Sequence, residues 1–368
     1  MEENKKKHPG LWHNISTLRS FIRESLFVEM RKYAFLAPPD ALNKFENDII
    51  GKTLIFFDTE TTGFKPSKYK GGSGQIIEIA AVAIPIDSLD TVPDFNSAGT
   101  FHFKIGLNPR NVDRFELAKL DREVSGEREK GYEPDPLPDI LKMTGFFENV
   151  PVVIRNNECD VLSEFSQFIS SYPNAILVAH NAAFDMKFVN TRLAACKQSA
   201  LQNETFDTLK FFDFYLRPTA DGVKKLIGTE TNNPLLNQVK VSLKLGDVTK
   251  LFNLPMGKAH MALEDVKMTV RALYRAYKFL KVFYDNFSAL IENAPDDQKA
   301  ELQNLYDSIL KGSYEARTNY LGDRDLRSTN PKVVASAEKK AQKSMAAKRK
   351  KRKQFRAKTS SGRGSQLF

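Results

Sequence analysis

Apolar positions along the chain fall into short runs set apart by polar stretches, and the spacing inside each run predicts an element. Thr53–Phe57 is an apolar run suited to a central strand, Ile76–Ile84 a second, and Ala98–Ile105 a third with partial alternation. The charged, Pro-rich stretch from about Asn108 to Asp139 reads as an excursion from the core. Helical spacing returns at 138–144 and 159–171, followed by a strand at Ala175–Val178, a helix at Ala183–Cys196 and a short strand at 204–207. Helices are expected over Ser242–Phe252 and Met261–Leu280, with one or two more across 285–311 around a break at Pro295. Upstream, Ile15, Leu18, Ile22, Leu26, Val28 and Met30 keep near-helical spacing over 15–36; Pro38 and Pro39 stop that helix, and a second covers Ala41–Ile49. Three strands in succession, then strands alternating with helices, predict an α/β domain on a mixed sheet flanked by helices. The expected division is a helical N-terminal extension (1–50), the α/β domain (51–282), a helical annex (283–311) and a disordered basic tail (312–368).

Composition narrows the classes. The 368 residues are 41% hydrophobic and include 27 Phe, enough apolar surface to exclude a wholly disordered chain. No stretch approaches the ~18 unbroken apolar residues of a membrane helix, so no membrane partner is expected. The charged first residues have no apolar segment behind them, which argues against a secretory signal. Cys159 and Cys196 show no CxxC spacing, which disfavours both a disulfide framework and a Cys-based zinc site. A reducing, cytoplasmic compartment is the expectation.

Charge is unevenly placed. Residues 332–368 hold thirteen Lys/Arg and one acid, a net +12, which leaves residues 1–331 at −2 of the total +10. Such an arm repels itself, stays solvated and suits a polyanion, nucleic acid first. A nuclear-import signal has the same composition.

Three constellations carry chemistry. Asp58 and Glu60 lie two apart at the end of an apolar strand, so both carboxylates project to one face of a rigid element. Two such acids repel unless a cation neutralises them, and oxygen ligands suit Mg²⁺ or Mn²⁺. His180, Asn181, Phe184 and Asp185 straddle a second strand-to-helix junction, with Asp185 in the first helical turn. Asn181 is a natural N-cap, and His180 reads equally as a satisfied structural histidine. His260 precedes a long helix, and Asp265 lies one turn inside it.

Together these residues resemble the DEDDh branch of the 3′→5′ exonucleases, the DnaQ-like family of ribonuclease-H-like fold, which includes the proofreading subunit of bacterial DNA polymerase III. The resemblance rests on Asp58-Thr59-Glu60-Thr61-Thr62-Gly63, on His180-Asn181 with Phe184-Asp185, and on His260 with Asp265. Phe206-Asp207-Thr208 and Ser242-Leu243 are similar to the family's secondary features, and Met261 stands where the Tyr branch would need Tyr. About 230 residues are covered. The loop 64–74 and the segments 108–136 and 218–240 look longer than in compact members, which bears on substrate choice and not on chemistry.

The resemblance implies that Asp58, Glu60, Asp185 and Asp265 hold two divalent metal ions, Mg²⁺ with Mn²⁺ as substitute. His260 is then the general base, a role fitting an imidazole that ordinarily titrates near ~6.5. Thr59, Thr61, His180, Asn181 and Phe184 are expected to contact substrate. Three readings follow: a DNA 3′→5′ exonuclease acting on single strands or mismatched ends, an RNA 3′-end-trimming enzyme of the same fold, or a non-catalytic nucleic-acid adaptor. A polymerase would be a separate chain, and Gln366-Leu367-Phe368 is loosely similar to peptides that dock on sliding clamps.

Overall fold

The computed structural model describes residues 30, 32–124, 135–147, 154–230 and 241–321. Two compact units are distinguished, Met1–Ser313 and Tyr314–Phe368; the first holds the sheet and every site residue discussed below. Most of the helix expected over 15–36, and the basic arm 332–368, lie outside the described residues.

The sheet has six strands in the order β4-β3-β2-β1-β5-β6. These are β1 (Thr53–Thr61), β2 (Ile76–Pro85), β3 (Gly99–Ile105), β4 (Ile154–Arg155), β5 (Ile176–Ala179) and β6 (Thr205–Asp207). β2 runs antiparallel to β1 and β3, while β5 pairs parallel with β1 and β6. β1 is central because Leu54, Ile55, Phe56 and Phe57 are all buried, which only a strand covered on both faces allows. It runs four residues past the expected end at Phe57, so Asp58 and Glu60 belong to the strand itself. A register shift between Glu60 and Thr61 marks where pairing with β2 loosens.

The helices are α1 (Pro38–Ile49), α2 (Pro109–Val124), α3 (Leu137–Met143), α4 (Glu158–Ser170), α5 (Ala182–Ala195), α6 (Thr208–Phe211), α7 (Arg217–Glu230), α8 (Leu245–Leu251), α9 (Ala262–Asn293) and α10 (Asp296–Leu321); a π-helical turn, Phe212–Leu216, joins α6 to α7. On one face of the sheet, Ile55, Phe57, Ile79 and Ala81 pack with Val161 and Phe165 of α4 and Phe188, Val189 and Leu193 of α5. α9 packs across β1 and β2, and α1 packs against α9. This mixed sheet flanked by helices is the ribonuclease-H-like architecture expected from the sequence.

Several expectations are corrected. Pro38 and Pro39 open α1 instead of merely ending the helix before it, since proline at the first helical position gives up no intrahelical bond. The excursion at 108–139 contains the helix α2, with Asn111 and Ala118 buried. The boundary at 283 falls inside the 32-residue helix α9, and residues 312–321, expected to open the disordered tail, are the last turns of α10. Cys159 and Cys196 form a disulfide, Cα–Cα 5.4 Å. One cysteine opens α4 and the other closes α5, and packing of the two helices brings those ends together, which spacing in the chain does not reveal. Among the described residues no helix is long and apolar enough to cross a membrane.

Candidate active site

Three junctions converge at one end of the sheet. β1 supplies Asp58 and Glu60, the first turn of α5 supplies Asp185, and the first turn of α9 supplies Asp265. Carboxylate and imidazole ligand atoms of Glu60, His260 and Asp265 lie within 4.8 Å of one another. Asp58 completes the group through its electrostatic coupling to Asp185, Glu60 and Asp265.

Burial first, with neighbouring carboxylates adding to it, holds all four acids above the ordinary carboxylate range. For Asp58, burial acts first, then the charges of Asp185, Glu60 and Asp265, and the shift is large. Burial, then Asp265, Glu78 and Asp185, pushes Glu60 up to about 8. Burial takes Asp185 to about 7 against the opposing pull of Thr59's hydrogen bonds. Asp265 rises to about 6, again mainly by burial, although the His260 N–H works against it. Among the described residues no Lys or Arg pairs with any of the four. A crowded set of oxygen donors without a resident counter-charge fits divalent cations of the Mg²⁺ type.

The structure gives the other expected residues more specific work. Thr59 is 5% exposed, and both its hydroxyl (2.7 Å) and its backbone N–H (3.1 Å) donate to Asp185 Oδ1. Where a substrate contact is expected, this residue instead fixes an acid. Strand alternation is the reason: position 59 faces α5, opposite Asp58 and Glu60. Thr61 donates its hydroxyl to the Gly63 carbonyl inside the turn.

His180 is the satisfied structural histidine. Its Nε2 donates to the Leu243 carbonyl at 2.9 Å, and Nδ1 lies 3.0 Å from the Thr208 hydroxyl. Burial lowers its pKa to about 4, so the ring is neutral at physiological pH. Asn181 occupies the N-cap position without a side-chain cap bond. Its backbone is left-handed (φ 72°), and its N–H is taken by Asp207 Oδ1. Phe184 packs against Phe188, centroids 5.0 Å apart, at the edge of the core. His180 and Asn181 line an open cleft of about 580 Å³ with Lys210, Arg217 and Lys244 among its other walls.

His260 is exposed, in a left-handed turn (φ 64°), with its N–H 3.2 Å from Asp265 Oδ2. Its side chain stands at the open side of the cluster.

Sequence reading missed two further features. Glu78, on β2 opposite Glu60, is 1% exposed and accepts from His102 Nε2 at 2.7 Å. A lone acid inside the otherwise apolar run Ile76–Ile84 was its signal. Arg192, fully buried, pairs bidentately with Glu158 (2.9 and 2.6 Å). No local pattern announces that pair.

A ribonuclease-H-like sheet with four acids gathered at the ends of β1, α5 and α9 is an arrangement suited to binding divalent cations. Comparison with known proteins sharpens this. The exonuclease family model matches residues 138–273, which hold Asp185, His260 and Asp265. The chain is 30% identical over 152 residues to the DNA polymerase III subunit epsilon of Treponema pallidum (strain Nichols), covering 41% of this chain and 51% of that protein. It is 29% identical over 157 residues to the ribonuclease T of Vibrio campbellii (strain ATCC BAA-1116), covering 42% and 61%. Among solved structures, E. coli exonuclease I in complex with a dT13 oligonucleotide aligns at 16% identity and a TM-score of 0.38, over 64% of this chain and 43% of that one. The chain is similar to the DnaQ-like 3′→5′ exonucleases, and its match to the exonuclease family model spans residues 138–273. The chain spans 51% and 61% of the length of these two curated relatives.

Proposed function

We propose that the chain is a metal-dependent 3′→5′ exonuclease that removes nucleotides one at a time from DNA 3′ ends and releases nucleoside 5′-monophosphates. The observation that carries this is the convergence of Asp58, Glu60, Asp185 and Asp265, each with a raised pKa and none with a cationic partner among the described residues. These four residues would hold two divalent ions, Mg²⁺ or Mn²⁺. Such ions, when bound, stabilise negative charge on the scissile phosphate and the departing oxygen. Thr59 keeps Asp185 aimed at the cluster, and Glu78 adds charge behind Glu60. His260, exposed beside Asp265, takes the proton of the attacking water.

DNA is the favoured substrate because of the similarity to a DNA polymerase III subunit; the similarity to ribonuclease T supports RNA trimming as the second reading. The basic arm 332–368 would hold the polyanion, and a polymerase or clamp would be the protein partner. The test compares 3′-labelled single-stranded DNA, duplex DNA with a mismatched 3′ end, and RNA, each in Mg²⁺ and in EDTA. Mg²⁺-dependent release of mononucleotides from the DNA substrates is expected. Faster release from RNA would favour the second reading, and no release from any of them would leave a binding protein.

A further inference from the structure

The loop joining β1 to β2 leaves the sheet after Thr61, the residue following Glu60, and returns at Ile76, two residues from Glu78. Its two ends therefore flank the acid cluster. Lys65, Lys68 and Lys70 are exposed on it, and Tyr69 is 76% exposed between the last two. Among the described residues no acid pairs with these lysines.

A loop so long and polar would ordinarily be mobile. Here its backbone is tied down from within and from two sides. Internally, Thr62 N donates to the Gln75 carbonyl and Ser67 N to the Gly74 carbonyl. Gly72 and Gly74 allow this closeness, because a Cβ there would lie 1.8 Å from Ser67 Oγ and 2.1 Å from the Lys65 carbonyl. From α5, Arg192 Nη1 donates to the carbonyls of Ser67 (2.7 Å) and Tyr69 (2.8 Å). Its partner Glu158 accepts from the N–H of Ile76, so one buried ion pair grips the middle and the far end of the loop. From the other side, Asn108 donates to the Gly72 carbonyl and Gln75 to the Gly106 carbonyl.

We infer that this clamped loop is a docking surface for single-stranded nucleic acid, on which the strand leading to the cleaved 3′ end lies with its phosphates against Lys65, Lys68 and Lys70 and a base stacked on Tyr69. A cluster of four acids repels a polyanion, and a cationic rim offsets that repulsion. Alternating basic and aromatic side chains suit a strand bound without regard to sequence, since every base offers a π-face. Rigid anchoring lowers the ordering cost of binding, which gives a reason for burying Arg192 and Glu158 beneath an exposed loop. This inference rests on the exonuclease reading above.

The test is fluorescence anisotropy of the full chain with labelled oligodeoxythymidylate in EDTA, across salt, beside a Mg²⁺-dependent hydrolysis assay. Combining Lys65→Ala, Lys68→Ala and Lys70→Ala should flatten the slope of log K against log salt by about 2, at about 0.7 per phosphate. Tyr69→Ala should weaken binding about 5- to 150-fold, and Tyr69→Phe should restore most of it. Unaltered affinity and salt slope in the triple variant would overturn the docking surface, and a Tyr69→Phe variant as weak as Tyr69→Ala would overturn the stacking. A wild-type chain that binds the oligonucleotide but never hydrolyses it would sink the exonuclease reading instead, and the loop would then serve a binding protein.

Discussion

His102 on β3 donates from Nε2 to Glu78 Oε1 at 2.7 Å, and so seats a fifth carboxylate against the four acids of the site. Glu78 sits opposite Glu60 in the β1–β2 register and raises the pKa values of Glu60 and Asp265. His102→Ala leaves a buried carboxylate without this donor and should cost about 1–3 kcal/mol in urea unfolding. His102→Gln, which keeps an N–H donor, should cost less. Identical midpoints for wild type and His102→Ala would show that the bond adds nothing to stability.

Acidity of the site makes metal-free stability depend on pH. Glu60, Asp185 and Asp265 keep their protons up to about 8, 7 and 6, whereas unfolded carboxylates release theirs near ~4. Between those limits the folded chain binds more protons than the unfolded one. Stability contributed by these groups is therefore full below about pH 4 and is lost as pH rises through 6 to 8. Divalent cations compete for the same oxygens, so their protection should grow over the same window. In thermal scans in EDTA, Asp58→Asn should raise the midpoint at pH 8 and make its pH dependence shallower, while abolishing hydrolysis in Mg²⁺. An Asp58→Asn variant that is less stable than wild type at pH 8 in EDTA would contradict this.

His260 and the acids should separate experimentally. As a base standing on the open side of the cluster, it should be needed for turnover and not for cation binding. His260→Ala should lose about 10²–10⁴-fold in rate and keep its Mn²⁺ affinity by calorimetry. Loss of Mn²⁺ binding would make it a ligand alongside Glu60 and Asp265, an arrangement their 4.8 Å grouping also permits.

The Cys159–Cys196 disulfide closes a loop with a sequence separation of 37. Chain entropy assigns such a crosslink about 4 kcal/mol. Replacing both residues by Ser should lower the denaturation midpoint in non-reducing buffer and make it insensitive to dithiothreitol, whereas the wild-type midpoint should fall on reduction. Indifference of the wild type to dithiothreitol would argue that the bond does not form in solution.

Local signals in the sequence carried the sheet and the acids. An apolar run ending in Asp58-Thr59-Glu60 marks a strand and its chemistry together, because both follow from period-2 alternation on one element. Asp185 and Asp265 were legible as first-turn residues of helices for the same local reason. What was hidden depends on contacts between distant segments. Thr59 looked like a ligand contact until α5 brought Asp185 against it, 126 residues away. Arg192 and Glu158, 34 apart, look like surface charges on two amphipathic helices, and only the packing of those helices buries them. The cysteines fail to show as a pair on the same ground. Polar composition hid α2, whose buried Asn111 donates from Nδ2 to Gln75 Oε1 of the clamped loop.

The acids sit on β1, α5 and α9, with the last one in the final long stretch of the α/β domain to be synthesised. Translation proceeds from the N-terminus, so a nascent chain displays β1 to β6 well before Asp265 leaves the ribosome. Contacts of such high sequence separation form late, after costly loop closure. The growing polypeptide thus passes through a state that lacks one of the four carboxylates, and the cluster is complete only when α9 docks across β1 and β2.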